Sequence, residues 1–322
     1  MKAKEILVKV IPAGASHAIT ALGALCLQWL LARQMPIESV GTFFALVTIV
    51  MGVDLLVRFG VEQTVFREGG HYYLSGDKKH FRHVLLGARR FILRRGFIGA
   101  VVVAALAIPL DRWFLAANQD YVAILIVAAL VPFYSLAIPW AASLRCRGLT
   151  ALAPFWGPGG IAALAALLLF VVWRDENPGV SAAVATYAFA GVALAIPFLS
   201  LRQGNNGRLA LAHAGDYGIT QICQFLIQWG VLLVVAGLGP PSEVAVLNAA
   251  LRVAEIINFV LMIFNGVFAP RYANLHTSGS IAALETHARN ATRIMTAIAL
   301  VPFLAIVLFG DVIVLQFGEQ YR

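Results

Sequence analysis

Polar side chains recur along one side of an apolar segment that runs roughly from residue 244 to residue 269. They are spaced by four, three, three and seven residues, and they are Asn248, Arg252, Glu255, Asn258 and Asn265. Residues three or four apart share a face of a helix, so this stripe projects in one direction. A charge at the centre of a bilayer costs about 3 kcal/mol on insertion scales, so Arg252 and Glu255 are expected to pair and to face protein or water. The stripe predicts either a hydrophilic lining for an anionic or sugar-like ligand or a structural ion pair buried against another helix.

Two further groups of polar residues lie in apolar segments. Gln221, Gln224 and Gln228 follow one another at spacings of three and four in the preceding segment. Glutamines bind sugar hydroxyls or hold membrane helices together, and both interpretations remain open for Gln224 and Gln228. Asp54 and Arg58 lie four residues apart at the end of the second apolar segment. They are candidates for ligand binding or gating, or form an ion pair at the membrane interface.

The elements that must position these residues are membrane helices. Of the 322 residues, 60% are hydrophobic and 12% are charged, which leaves too little polar surface to coat a soluble globule. Apolar runs near the roughly 20 residues that cross a bilayer predict an all-α, polytopic membrane bundle. About nine transmembrane helices are predicted, at 12–31, 40–59, 91–109, 121–144, 151–173, 180–201, 219–238, 244–269 and 291–309.

The basic residues predict how these helices are oriented. Most of the 24 Lys and Arg residues fall in alternate loops, and these loops lie inside if the N-terminus is cytoplasmic. The net charge of +8 is therefore explained by topology, and no nucleic-acid partner is inferred from it. Acidic membrane lipids are expected to contact the same loops.

Sequence motifs give no indication of catalysis. The chain has no Walker loop, no dinucleotide glycine fingerprint and no His/Cys group at metal-ligand spacing, and its three cysteines are scattered. We therefore expect a protein that is not an enzyme and that uses neither a metal nor a cofactor.

A faint internal repeat organises the chain. Pro36 and Glu38 match Pro241 and Glu243 at an offset of 205 residues, and Arg67 matches Arg271 at 204. Parallel repeats of this kind build many transporters, with the substrate path between the halves. The repeat predicts a six-helix N-terminal lobe over residues 1–207 and a partial C-terminal lobe of three helices over 208–322, as expected of a C-terminally truncated chain. Val47 and Val50 stand where the second copy has Arg252 and Glu255, so the polar stripe is one-sided.

The order of residues in both copies resembles a known family. The run LQWLLARQMPIESVGTFFALVTIVMGVDLLVRFGVEQTVFRE, from Leu27 to Glu68, is similar to the opening of polysaccharide-type flippases of the multidrug/oligosaccharidyl-lipid/polysaccharide exporter superfamily. The run EVAVLNAALRVAEIINFVLMIFNGVFAPRYANL is similar to the start of their second half. The resemblance implies a V-shaped, two-lobed bundle in the inner (plasma) membrane. It also implies that the chain passes an undecaprenyl-diphosphate-linked oligosaccharide across that membrane by alternating access, for exopolysaccharide, O-antigen or capsule assembly.

The resemblance also implies roles for individual residues. Arg252 fits the basic residue that binds the diphosphate-sugar head group, and Asn248, Asn258, Gln224 and Gln228 fit sugar contacts. Polysaccharide polymerases and glycosyltransferases are the protein partners that such a flippase implies. Two alternatives stay open: a cation or drug antiporter of the same superfamily, and a membrane scaffold for polysaccharide-synthesis enzymes that does not itself transport.

Overall fold

The described part of the chain is helical throughout. The computed structural model describes residues 3–114, 121–173, 178–201, 214–255, 257 and 281–321, and no strand occurs among them. The prediction of an all-α membrane bundle is confirmed. The principal helices are α1 (Ala3–Gln34), α2 (Ile37–Arg58), α3 (Val61–Thr64), α4 (Gly70–Leu74), α5 (Lys78–Ala105), α6 (Ala107–Phe114), α7 (Tyr121–Cys146), α8 (Pro158–Val172), α9 (Val180–Leu199), α10 (Ala214–Leu238), α11 (241–255) and α12 (Ile281–Leu315).

Local sequence signals set several of these boundaries. Pro36 precedes the first residue of α2, and α2 ends where Phe59 and Gly60 adopt left-handed backbone conformations, with φ of 40° and 83°. At the start of α5, the Asp77 carboxylate accepts a hydrogen bond of 3.0 Å from the backbone N–H of His80. That hydrogen bond holds the pKa of Asp77 below its ordinary value.

Within the described part of the chain, six helices are long and apolar enough to cross a bilayer. By length and composition alone, these spans are Gly14–Gln34, Ile37–Arg58, Tyr121–Cys146, Val180–Leu199, Tyr217–Leu238 and Leu284–Gly310. α8 is apolar but shorter, at 15 residues. The structure differs from the predicted helix over 151–173 because a 3-10 turn at Ala153–Trp156 comes first and α8 begins only at Pro158, a favoured first helical residue.

The helix predicted at 91–109 begins earlier and ends earlier in the structure. The basic segment before residue 91 and the apolar segment after it form one continuous helix, α5, over Lys78–Ala105. Phe81, Leu85 and Leu86 at its start are buried. Because these side chains pack against the bundle, the helix continues through the basic stretch without a break.

α7 is the central helix of the N-terminal bundle. It packs against α2, α5 and α9, while α8 joins α1 to α9. Its Tyr134, Leu136 and Ser135 have no exposed surface. α10 packs against α2, which is how the C-terminal part of the chain meets this bundle.

Close backbone approaches require glycine at two of these junctions. A Cβ on Gly23 of α1 would overlap Ala163 of α8, and one on Gly41 of α2 would overlap the carbonyl of Pro241 at the start of α11. Small residues let membrane helices approach this closely, since packing contributes more than water exclusion inside a bilayer. Gly41 therefore lets α2 and the start of α11 approach each other closely.

Candidate substrate cavity

A cluster of three charged side chains lies at the C-terminal end of α2. The Nε of Arg58 donates hydrogen bonds to both Asp54 carboxylate oxygens, at 2.8 and 3.0 Å. One terminal nitrogen of Arg58 donates to Asp54 at 2.8 Å, and the other donates to Glu62 of α3. All three side chains are at most 9% exposed, so two carboxylates share one guanidinium in a site with little water. Asp54 and Arg58 thus form the predicted pair, and Glu62 joins it.

Glu62 connects this cluster to the C-terminal part of the chain. The side-chain amide of Gln221, on α10, donates a hydrogen bond of 2.5 Å to Glu62 Oε1. Burial by itself raises the pKa of Glu62, but Arg58 and the Gln221 amide offset this, and the pKa lies below its ordinary value. Arg145, at the end of α7, also interacts electrostatically with Glu62. Glu62 is therefore held ionised.

A cavity of about 240 Å³ with polar and apolar lining residues opens beside the cluster, between α2, α7 and α10. Its polar lining consists of Asp54, Arg58, Tyr134, Gln221, Gln224, Gln228 and Trp229. Gln224 and Gln228 are exposed, so a ligand can reach their amides, whereas Gln221 is half-buried against Glu62. The structure brings four of the predicted site residues into one cavity: Asp54, Arg58, Gln224 and Gln228.

Arg252 and Glu255 lie next to this cavity without lining it. They form an ion pair of 2.9 Å on α11. The guanidinium carbon of Arg252 lies 5.0 Å from the centroid of the Trp229 ring, within range of a cation–π interaction. Because Trp229 lines the cavity, Arg252 contacts a residue of the cavity wall.

The structure places Asn248 apart from the cavity. Its side-chain amide donates a hydrogen bond to the side-chain carbonyl of Gln28 on α1, and both residues are at most 1% exposed. Asn248 therefore joins α11 to α1. Asn258 lies outside the described residues, as does Asn265.

An apolar groove of about 880 Å³ runs between α2 and α10 and adjoins the cavity. Leu55 and Phe225 line both spaces. Thr48 carries the one hydroxyl among the lining residues, and that hydroxyl donates a hydrogen bond of 2.8 Å to the Phe44 carbonyl. The groove therefore presents an apolar surface beside a polar one.

Three residues of the site were not among those selected from the sequence. Glu62 follows Arg58 by four residues, and this spacing could have identified it, but the helix break at Phe59 and Gly60 obscures that pattern. Trp229 directly follows Gln228 in the chain, and this adjacency indicates that it lies near the same site. Tyr134 is surrounded by apolar residues on α7, so no sequence signal indicated it.

Comparisons with known proteins bear on the fold. The structure superposes on that of the MATE multidrug transporter DinF-BH, which was solved in complex with a ligand, with a TM-score of 0.69. The two sequences are 15% identical, and the match covers 96% of this chain and 75% of that one. The chain has the fold of the MATE transporters. Residues 217–321 match the MatE family model. A structure of MATE in the bent conformation gives a TM-score of 0.46 at 16% identity, covering 98% of this chain and 75% of that one. No curated protein matches the sequence.

These comparisons support part of the sequence-based assignment. The shared fold agrees with the predicted polytopic bundle of membrane helices.

Proposed function

We propose that the protein is a membrane transporter that moves a lipid-linked oligosaccharide across the bilayer by alternating access. The observation that carries this proposal is the row of amides on α10, Gln224 and Gln228, which faces a cavity bordered by an apolar groove. A molecule with a hydroxyl-rich head and an apolar tail matches both surfaces. Localisation to the inner membrane, with a cytoplasmic N-terminus, is part of the same proposal.

Amide side chains suit a sugar head group. Each glutamine offers two N–H donors and one carbonyl acceptor, which match the hydroxyl groups of a sugar that both donate and accept. Gln224 and Gln228 are one helical turn apart, so they contact neighbouring positions on an extended ligand. Trp229, a buried residue of the cavity lining, borders the space next to these two amides.

The charges assign different roles to the two arginines. All three nitrogen positions of the Arg58 guanidinium already bind Asp54 or Glu62, so its charge is used within the protein. Arg252 pairs through one nitrogen with Glu255, whose side chain is 42% exposed, and is itself 17% exposed. We therefore assign binding of the diphosphate to Arg252. The diphosphate would replace Glu255 as the partner of Arg252 or bind beside it.

The experiment is lipid flipping in vesicles. The full-length protein is reconstituted, and transfer of a fluorescent undecaprenyl-diphosphate-linked sugar between leaflets is followed by quenching from outside. Gln224→Ala combined with Gln228→Ala is expected to reduce the flipping rate by about thirtyfold, since two sugar-binding amides of about 1 kcal/mol each are lost. Gln316→Ala, at an exposed glutamine that does not line the cavity, is the matched control. Unchanged flipping by the double variant would remove the amide row from substrate binding.

A cation antiporter is the second candidate, and the charge cluster favours it. Asp54 and Glu62 share the single guanidinium of Arg58 in the buried cluster beside the cavity. An organic cation that enters the cavity can compete with Arg58 for the Asp54 carboxylate, which lines it. The same vesicles distinguish the candidates: transport of a fluorescent organic cation that is abolished by Asp54→Asn, with no flipping of the lipid-linked sugar, would establish the antiporter.

A further inference from the structure

The apolar groove between α2 and α10 is long enough to hold part of a lipid chain. On α10 its lining extends from Ile222 to Leu238. At 1.5 Å per helical residue this corresponds to about 24 Å, most of the thickness of a bilayer's hydrocarbon core. Leu226, Val234 and Leu238 along it are more than half exposed, so the groove is open along its length.

The groove and the cavity meet at a shared boundary. Leu55 lines both spaces from α2, and Phe225 lines both from α10. Asp54 and Gln224, the neighbours of these two residues in the chain, line only the polar cavity. A single amphipathic molecule can therefore place its head in the cavity and its chain in the groove without crossing the protein backbone.

We propose that the α2–α10 groove binds the polyprenyl chain of the transported lipid while the cavity binds its head group. This proposal rests on the proposed function, because the head group defines which lipid is held. Inside a bilayer the chain gains little by leaving other lipid tails, so its affinity for the groove comes from packing against the walls. Methyl-branched prenyl units are bulkier than straight acyl chains, which lets the groove select the carrier lipid over the surrounding phospholipids.

The groove also offers a matched pair of substitutions. Val234 lines the groove and Val231 does not, yet both are valines on α10 with 58% of their surface exposed. A tryptophan at 234 fills the groove, and a tryptophan at 231 adds the same bulk to the same helix elsewhere. Any difference between the two variants therefore reports on the groove rather than on helix stability.

The test measures binding of two probes to the full-length protein in nanodiscs. Both carry the same diphosphate-sugar head, one on an undecaprenyl chain and one on a short geranyl chain. The wild type is expected to bind the long-chain probe about tenfold more tightly, a difference of about 1.4 kcal/mol. Val234→Trp should lower long-chain binding to the short-chain level and leave the short-chain probe unaffected, while Val231→Trp should change neither.

Four results would overturn the assignment of the groove. Equal binding of both probes by the wild type, or equal weakening of both by Val234→Trp, would show that the chain does not occupy it. Displacement of the long-chain probe by excess phosphatidylglycerol would show a site for ordinary acyl chains. If neither probe binds at all, the proposed function fails and the groove assignment fails with it. If both probes bind but one of the other results is found, only the groove assignment fails.

Discussion

Gln221 donates a hydrogen bond of 2.5 Å to Glu62, a residue 159 positions earlier in the chain. This contact links α10 to the charged cluster of Asp54, Arg58 and Glu62 at the edge of the cavity. The charged cluster therefore also helps to hold α10, in the C-terminal part of the chain, against the N-terminal bundle. Changes in this cluster are expected to affect both stability and transport.

Glu62 gives a pH-dependent prediction. Its pKa in the folded protein is lower than its ordinary value of 4.5, so its ionised form stabilises the fold. That stabilisation is fully present above pH 4.5 and is lost as the pH falls through the folded-state pKa. Glu62→Gln should therefore lower the apparent melting temperature at pH 7, and the gap to the wild type should narrow below pH 4.5. The measurement is thermal unfolding in detergent. A difference in melting temperature between the two proteins that widens in acid would contradict a stabilising, ionised Glu62.

Arg252 is expected to contribute to transport through charge and shape together. Arg252→Ala should abolish flipping of the lipid-linked sugar, because it removes the cation above Trp229. Arg252→Lys should retain only part of the rate, since an ammonium lacks the planar group that stacks on the ring and binds a phosphate with two N–H donors. The measurement is the flipping rate in vesicles at equal protein content. If the lysine variant matched the wild type, charge alone would be sufficient.

The hydrogen bond between Asn248 and Gln28 gives a stability prediction. Each single replacement by leucine leaves the other amide buried without this partner, which costs about 1–3 kcal/mol. The double replacement removes both groups and should cost less than the sum of the two singles. A double-mutant cycle on unfolding in mixed micelles measures this coupling. Additive single effects would show that the two residues act independently.

Arg89 should stabilise the end of α9. One of its terminal nitrogens donates to the carbonyls of Leu199 at 2.9 Å and Leu201 at 2.7 Å, where a helix leaves carbonyls unpaired. Arg89→Met should destabilise the protein by about 1.5–3 kcal/mol, the range for hydrogen bonds to a charged group. Arg94→Met, at an exposed position on the same helix, is the comparison. Equal unfolding midpoints for the two variants would show that the cap contributes nothing.

The sequence carried enough information to predict the class of fold and most of its helices. Long apolar runs and the scarcity of charge require membrane helices whatever the tertiary arrangement, because unpaired backbone polar groups are too costly in lipid. The spacing of Asp54 and Arg58, and of Gln224 and Gln228, is likewise a property of a single helix. These parts of the prediction depend on neighbours within one or two turns.

The tertiary structure decided which residues form a site together. Asn248 and Arg252 lie on one helical face, yet Asn248 binds Gln28 of α1 while Arg252 stacks on Trp229 of α10. Tyr134 enters the cavity although its segment is almost wholly apolar. Sequence periodicity gives the direction of a side chain about its own helix, but the partner in that direction depends on how separate helices pack. That is why the helices were determined by the sequence, and the cavity by the way they assemble.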